Sequence, residues 1–361
     1  MNHNILAAMV QADIAVNLSG DPGGGKTMYA GALARALEYG SNFHSIILSQ
    51  ADPTDIGGWP RDNNGVCIVR KPLDWVWQLH LAPGFLFLDE ITLAPRSNLA
   101  GALTVINERR AGDTFFHKDT RVMTACNPEE FTGMAMPAQL ANRLAHVDFE
   151  EIVSVSRWAQ GMLSGFPDLQ ITKLPETWQA LIPKHRSIIA SYAVKMGSEA
   201  FRKPKDDADW GKAWPSRRTL TMAATASAAC ESIGEEDSSA VASLIGHAAT
   251  IAYLGWREEQ DLGDPEEALA QPTKYPLPKE DDRLYILLSS IVAVAISKKA
   301  VKPWSAAWTL IERACKQGQA DVAVTAAKTI AMATPYPAGA VVPKSILALT
   351  PILEASMVGG K

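Results

Sequence analysis

The chain has 361 residues, long enough for about two domains and for a core that needs no disulfide or metal staples. Apolar residues make up 47% and charged residues 20%, which excludes a disordered or fibrous chain. A net charge of −5 disfavours general coating of nucleic acid but leaves room for a small basic pore or loop.

In chain order, residues 1–152 alternate short apolar runs with helical stretches and turn clusters. Strands are expected at 14–18, 45–48, 85–88, 122–125 and 145–149, each beside Gly, Pro, Asp or Asn. Unbroken apolar runs suit strands covered on both faces, as in a parallel α/β sheet. A helix is expected over 28–39. The texture changes after Asp52. Pro53, Gly57, Gly58 and Pro60 lead into Asp62-Asn63-Asn64-Gly65, which predicts a hairpin insertion at about 56–72 with a type I′ turn at Asn64-Gly65. Beyond 153 the strand signals fade, and helical spacing recurs at 219–233, 240–256, 283–297, 304–315 and 320–332. Punctuation at 203–209 and 263–278 marks two joints. The expected domains are an α/β domain over 1–152, a helical lid over 153–262 and a C-terminal helical extension over 263–361.

Cys67, Cys126, Cys230 and Cys315 form no C-x-x-C pair, so neither a zinc knuckle nor a redox motif is offered, and they read as reduced thiols. The seven histidines are scattered, with no H-x-x-x-H. The first residues lack a basic stretch followed by an apolar one, so no export signal is expected. The apolar run 284–296, broken by Ser289 and Ser290, is too short to span a bilayer and reads as a buried helix. A cytoplasmic protein is expected. The tryptophans of the helical half, such as Trp158, Trp178, Trp256, Trp304 and Trp308, read as core or interface.

The sharpest motif is Gly20-Asp21-Pro22-Gly23-Gly24-Gly25-Lys26-Thr27, which fits G-x-x-x-x-G-K-[S/T] between an expected strand and an expected helix. Glycines let backbone N–H groups curl around phosphate oxygens, and the helix start adds its positive dipole end. Lys26 would reach the β- and γ-phosphates, and the Thr27 hydroxyl would bind Mg²⁺. The second motif is Phe85-Leu86-Phe87-Leu88-Asp89-Glu90, an apolar strand ending in two carboxylates. Beside a phosphate loop, Asp89 would orient the metal shell and Glu90 would activate water. The plain alternative for Asp89-Glu90 is an exposed loop start.

Together these elements resemble the AAA+ ATPases, and within them the MoxR-like branch. Ala51-Asp52-Pro53-Thr54-Asp55-Ile56-Gly57-Gly58 resembles the branch's segment after the second strand, where a hairpin is inserted. Asp89-Glu90-Ile91-Thr92, then Ala102-Leu103 and Asn107-Glu108-Arg109-Arg110, resemble its Walker B strand and following helix. Asn127-Pro128, after Val122-Met123-Thr124-Ala125-Cys126, resembles its sensor 1 strand end. Ala138-Gln139-Leu140-Ala141-Asn142-Arg143-Leu144 resembles its arginine-finger helix, and Trp214-Pro215-Ser216-Arg217-Arg218 its sensor 2 signature. The resemblance covers about residues 12–260, with the motifs in the family's order.

The resemblance implies a P-loop AAA+ parallel-sheet nucleotide-binding domain, a helical lid and a C-terminal helical extension. It implies ATP held by Gly20, Pro22, Gly23, Gly24, Gly25, Lys26, Thr27 and Met28, with Mg²⁺ on Thr27 and Asp89. Glu90, Lys26, Asn127, Arg143 and Arg218 would be catalytic. Asn127 would sense the γ-phosphate or the attacking water; its alternative is an Asn-Pro turn start. Arg143 would enter the neighbouring subunit's site, with Arg109 and Arg110 as competitors and a surface arginine as the alternative. The family reads Ser-Pro-Arg where this chain has Ser216-Arg217-Arg218; register favours Arg218 as the sensor 2 residue reaching from the lid to the same nucleotide. Gln50, at the end of the second strand, is a weaker candidate for holding Glu90 inactive.

Two insertions are pore candidates: 61–71 and 112–121, the latter carrying Phe115, Phe116, His117 and Lys118. These side chains either grip a strand or peptide, or one phenylalanine packs inward while the other is exposed. The implied assembly is a hexameric ring that remodels or assembles a client protein, with a von Willebrand factor A domain protein as the first-choice partner. The rival is a DNA-directed motor or loader, phage-associated, for which the acidic charge is unfavourable. A third reading, a non-hydrolysing switch, is opposed by intact Lys26, Asp89 and Glu90.

Overall fold

A computed structural model describes residues 1–166, 168–259, 263–333, 336–341 and 343. Part of the expected C-terminal extension, 344–361, lies outside the described residues, as do lid residues 260–262.

The first elements are α1 (His3–Gln11), β1 (Val16–Ser19), α2 (Lys26–Ala36), β2 (Phe43–Ile47) and α3 (Pro53–Gly57). A hairpin of β3 (Trp59–Asn63) and β4 (Cys67–Lys71) follows, then α4 (Asp74–Leu81), β5 (Phe85–Asp89) and α5 (Arg96–Glu108). A second small hairpin, β6 (Arg110–Ala111) and β7 (Thr114–Phe115), leads to β8 (Arg121–Cys126), α6 (Glu129–Thr132), α7 (Ala138–Ala141) and β9 (Ala145–Asp148). Helices take over with α8 (Val155–Ser164), α9 (Ile182–Met196), α10 (Arg217–Ser232), α11 (Ser238–Ile245) and α12 (His247–Glu258). The last are α13 (Pro265–Ala270), α14 (Asp281–Ser297), α15 (Val301–Lys316) and α16 (Ala320–Met332).

Two compact units result. The first comprises Met1–Leu174 and Glu199–Ile251; the second comprises Pro175–Ser198 and the chain from Ala252 onward. In the first, five parallel strands lie in the order β2-β5-β8-β1-β9. Each expected strand is present, shifted by no more than a few residues. Phe85–Leu88 is fully buried, because parallel strands covered by helices on both faces take apolar side chains on both. The core gathers Leu48, Leu86, Leu88, Val105, Val122 and Leu144. One polar bridge crosses it: Thr124 Oγ1 donates to Asn17 Oδ1 at 2.8 Å, and Asn17 Nδ2 donates to Cys126 Sγ at 3.2 Å. Buried polar groups persist when paired in this way.

The β3–β4 hairpin exposes both faces. Its turn is the expected one: Asn64 and Gly65 have φ of 54° and 72°, and Val66 N–H donates to Asn63 O at 3.1 Å. Its stem is tied to the second hairpin, where Arg70 N–H donates to Asp113 Oδ2 at 3.0 Å. Of the two phenylalanines there, Phe116 is buried beside Trp75, whereas Phe115 is 60% exposed under the Arg110 guanidinium.

In the second unit, α14 is the buried element, packed against α9, α13, α15 and α16. The core includes Leu284, Leu287, Leu288, Ile291, Trp304 and Trp308. Ser289 and Ser290 sit within this apolar run at little cost because both are bonded: Ser187 Oγ donates to Ser289 Oγ at 3.0 Å and Ser290 Oγ to Ile286 O at 2.9 Å. No described helix is long and apolar enough to cross a membrane.

One expected helix is in fact two. The stretch 240–256 divides at Gly246, which has φ of 81° and lies so near Ala213 O that a Cβ would approach it to 2.7 Å. That left-handed glycine ends α11, and α12 begins at the next residue.

Candidate nucleotide site

The loop 20–25 leaves the end of β1, a strand paired on both sides, and delivers Lys26 to the first turn of α2. Gly20 is pressed against Phe149, where a Cβ would meet the Phe149 Cβ at 2.9 Å. Gly25 needs no room but has φ of 94°, a conformation that side chains resist. It caps α2 without a side chain. The first N–H drawn into the helix is that of Tyr29, which donates to Gly25 O at 2.9 Å. The N–H groups of Lys26, Thr27 and Met28 therefore have no partner within the helix, which leaves an electropositive turn suited to phosphate.

Lys26 is 7% exposed, and its ammonium donates to Gly20 O at 2.6 Å, Asp21 O at 2.9 Å and Asn127 Oδ1 at 2.9 Å. Burial lowers its pKa from the ordinary value, while the charges of Asp89, Cys126, Asp21 and Glu150 oppose that shift. Thr27 Oγ1 donates to Asp89 Oδ2 at 2.8 Å, and Asp89 Oδ1 accepts the Glu90 N–H at 2.9 Å. Glu90 has φ of 54°, and its carboxylate accepts the Ser49 hydroxyl. Residues 22–28, Asp89, Glu90 and Asn127 line one cleft of about 290 Å³.

The oxygen-only pair Thr27–Asp89 fits a hard divalent cation. No group of three or more His, Cys, Asp or Glu side chains that could hold a metal ion exists among the described residues, so a cation here would take its remaining ligands from phosphate and water, as Mg²⁺ does. Thr27 and Asp89 would hold it; bound there, it would neutralise charge on phosphate oxygens. The open loop, its free N–H groups and Lys26 fit a triphosphate.

Gly20 stands behind the cleft as an acceptor for Lys26. Arg143 and Arg218 lie outside the cleft lining. Desolvation and then the Arg218 charge lower the Arg143 pKa. Arg143 also donates to Asn107 Oδ1 at 3.4 Å and to Gln139 O. Arg217 stacks over the Phe201 ring at 5.5 Å. Arg109 is engaged by Asp13 at 2.7 Å, and Arg110 by Glu108 at 2.7 Å. Gln50 is exposed, and the residue before it, Ser49, meets Glu90 instead. Sequence reasoning also missed Asn98, fully buried on α5, whose Nδ2 donates to Leu48 O at 3.1 Å and Ala51 O at 2.6 Å. It pins both ends of the turn that carries Ser49.

Residues 15–144 match the family model described as the AAA domain, dynein-related subfamily. A solved structure from Cytophaga hutchinsonii, described as a candidate ATPase, is 17% identical, with a TM-score of 0.39 over 65% of this chain and 75% of that one. No curated protein matches the chain significantly. A five-stranded parallel sheet, a phosphate loop at the end of its β1 strand and a family model that matches the stretch holding four of the five strands make residues 15–144 part of an AAA ATPase domain, followed by a helical C-terminal region.

Proposed function

We propose that the chain is a Mg²⁺-dependent ATPase of the MoxR-like branch, working in the cytoplasm as a hexameric ring that remodels or assembles a client protein. A von Willebrand factor A domain protein is the proposed client or partner. The observation that carries the ATPase reading is the single cleft in which Lys26, the Thr27–Asp89 pair, Glu90 and Asn127 meet.

Each residue has a task in this reading. The unpartnered N–H groups of 26–28 and the Lys26 ammonium bind phosphate oxygens. The Glu90 carboxylate takes a proton from water as its oxygen attacks the γ-phosphorus and the β–γ P–O bond breaks. In the arrangement observed, Ser49 occupies that carboxylate, so Ser49 restrains Glu90 until the bond is released. Two guanidiniums, both outside the subunit's own cleft lining and each borne by a segment that the Ser216–Asn142 hydrogen bond joins, suit a neighbour's triphosphate better than their own. We therefore assign both Arg143 and Arg218 to the adjoining subunit's site. Residues 153–262 serve as the lid and 263–361 as the extension. The tied hairpins, with Trp59, Ile68 and Phe115 exposed, are the proposed client-gripping surface.

The test is ATP turnover together with particle mass for the wild type and Glu90→Gln. Turnover lost in the variant, with ATP-dependent growth to a ring, supports the reading. A monomer that binds ATP without hydrolysing it overturns the ring mechanism.

A further inference from the structure

Arg143 and Arg218 share one anchor. Asn142 immediately precedes Arg143, is 8% exposed and accepts the Ser216 hydroxyl on its Oδ1 at 2.8 Å. Ser216 is the N-cap of α10. Its Oγ accepts Thr219 N–H at 3.2 Å, and Thr219 Oγ1 accepts Ser216 N–H at 2.8 Å. Arg217 and Arg218 are the next two residues. A single hydrogen bond thus joins the backbone that bears one guanidinium to the helix start that bears the other.

That joint works against a force. The positive charge of Arg218 is felt at Arg143, and among the described residues neither guanidinium has a carboxylate partner. Like charges repel, so without a fixed support the two would splay apart. Nor is Asn142 suited to filling space: its Nδ2 is buried with no hydrogen-bond partner, which an apolar side chain of similar size would avoid. Placement of its neighbours accounts for the residue better than stability does.

We propose that Asn142 is a positioning residue, which through Ser216 holds Arg143 and Arg218 as one two-guanidinium clamp for the triphosphate bound by a second copy of this chain. The proposal rests on the reading that both arginines serve the adjoining subunit.

The experiment uses assembled full-length chain and three variants. Asn142→Leu removes the acceptor at similar volume. Ser216→Gly removes the hydroxyl while keeping most of its worth as a cap. Ser216→Thr keeps the hydroxyl. The first two are expected to lower kcat about 10-fold or more, since a misplaced clamp acts on the transition state, while Ser216→Thr stays within about 2-fold of the wild type. Mixing is the readout that a general structural defect would not restore. Asn142→Leu subunits combined with Lys26→Ala subunits should regain turnover, because the second supply an intact clamp to the sites of the first. Arg143→Ala combined with Lys26→Ala is the reference. If the reference mixture regains turnover and the Asn142→Leu and Ser216→Gly mixtures do not, or if those two variants alone keep wild-type kcat, the positioning role is wrong and the arginine assignment stands. If the reference mixture fails in confirmed mixed rings, the arginine assignment falls, and this proposal with it.

Discussion

Replacing Asn98 by leucine would keep its volume and remove one amide. Two carbonyls, Leu48 O and Ala51 O, would then lose their donor, the first of them in a fully buried setting. An unpaired buried carbonyl costs about 1–3 kcal/mol, and a partly buried one less, so the pair should cost about 2–4 kcal/mol. For a unit of this size that corresponds to a fall in Tm of about 10 °C. The assay is thermal unfolding of the full chain followed by near-ultraviolet circular dichroism. Ser97→Ala, one residue away and exposed, is the control and should change stability by less than about 0.5 kcal/mol. An Asn98→Leu variant melting within about 2 °C of the wild type would refute the reasoning, because the two carbonyls would then be satisfied without it.

Other outcomes follow from the same geometry. Ser49→Ala should raise basal ATP turnover by freeing the Glu90 carboxylate, measured as phosphate release; unchanged turnover would remove Ser49 from the site. Phe116→Ala should destabilise the chain by about 3–5 kcal/mol in denaturant unfolding, whereas the exposed Phe115→Ala should leave the midpoint nearly unmoved. Gly25→Ala should cost about 1–2 kcal/mol from its left-handed φ alone and weaken ATP binding, as read by titration calorimetry. His3 has its pKa lowered from 6.5 to about 4, by burial first and by the Arg157 charge second. The unfolded chain therefore binds the extra proton between about pH 6.5 and 4, and stability at this site falls as pH drops through that window. His3→Gln should flatten that part of the stability–pH curve.

The sheet was legible because parallel strands buried on two faces must be nearly continuous in apolar residues, as Phe85–Leu88 is. The phosphate loop was legible because its chemistry demands glycines at fixed spacing before a lysine. What escaped was set by geometry that no local pattern encodes. β2 ends at Ile47 and the chain turns through Ser49, so the side chain meeting Glu90 is one residue earlier than the polar strand end suggested. Asn98 looks like any polar residue on a helix; only the fold brings its amide to two carbonyls fifty residues back. The packing of Pro175–Ser198 with the chain beyond Ala252 is equally non-local, since helical periodicity describes each helix and not its partner.

An ammonium group has three hydrogens, and in this protein all three of Lys26 are already taken. In the proposed function, nucleotide would enter by exchange: a phosphate oxygen would gain a donor only as one protein acceptor gives it up. Two of those acceptors are backbone carbonyls fixed in the loop, and the third belongs to the Asn127 side chain, which can rotate. Arrival of the phosphate would thus carry its own signal, because the Asn127 side chain would be released to turn towards water only once Lys26 had changed hands. Part of the gross attraction between lysine and phosphate would be offset by that exchange, so binding would be weaker, and more informative, than a bare charge pair.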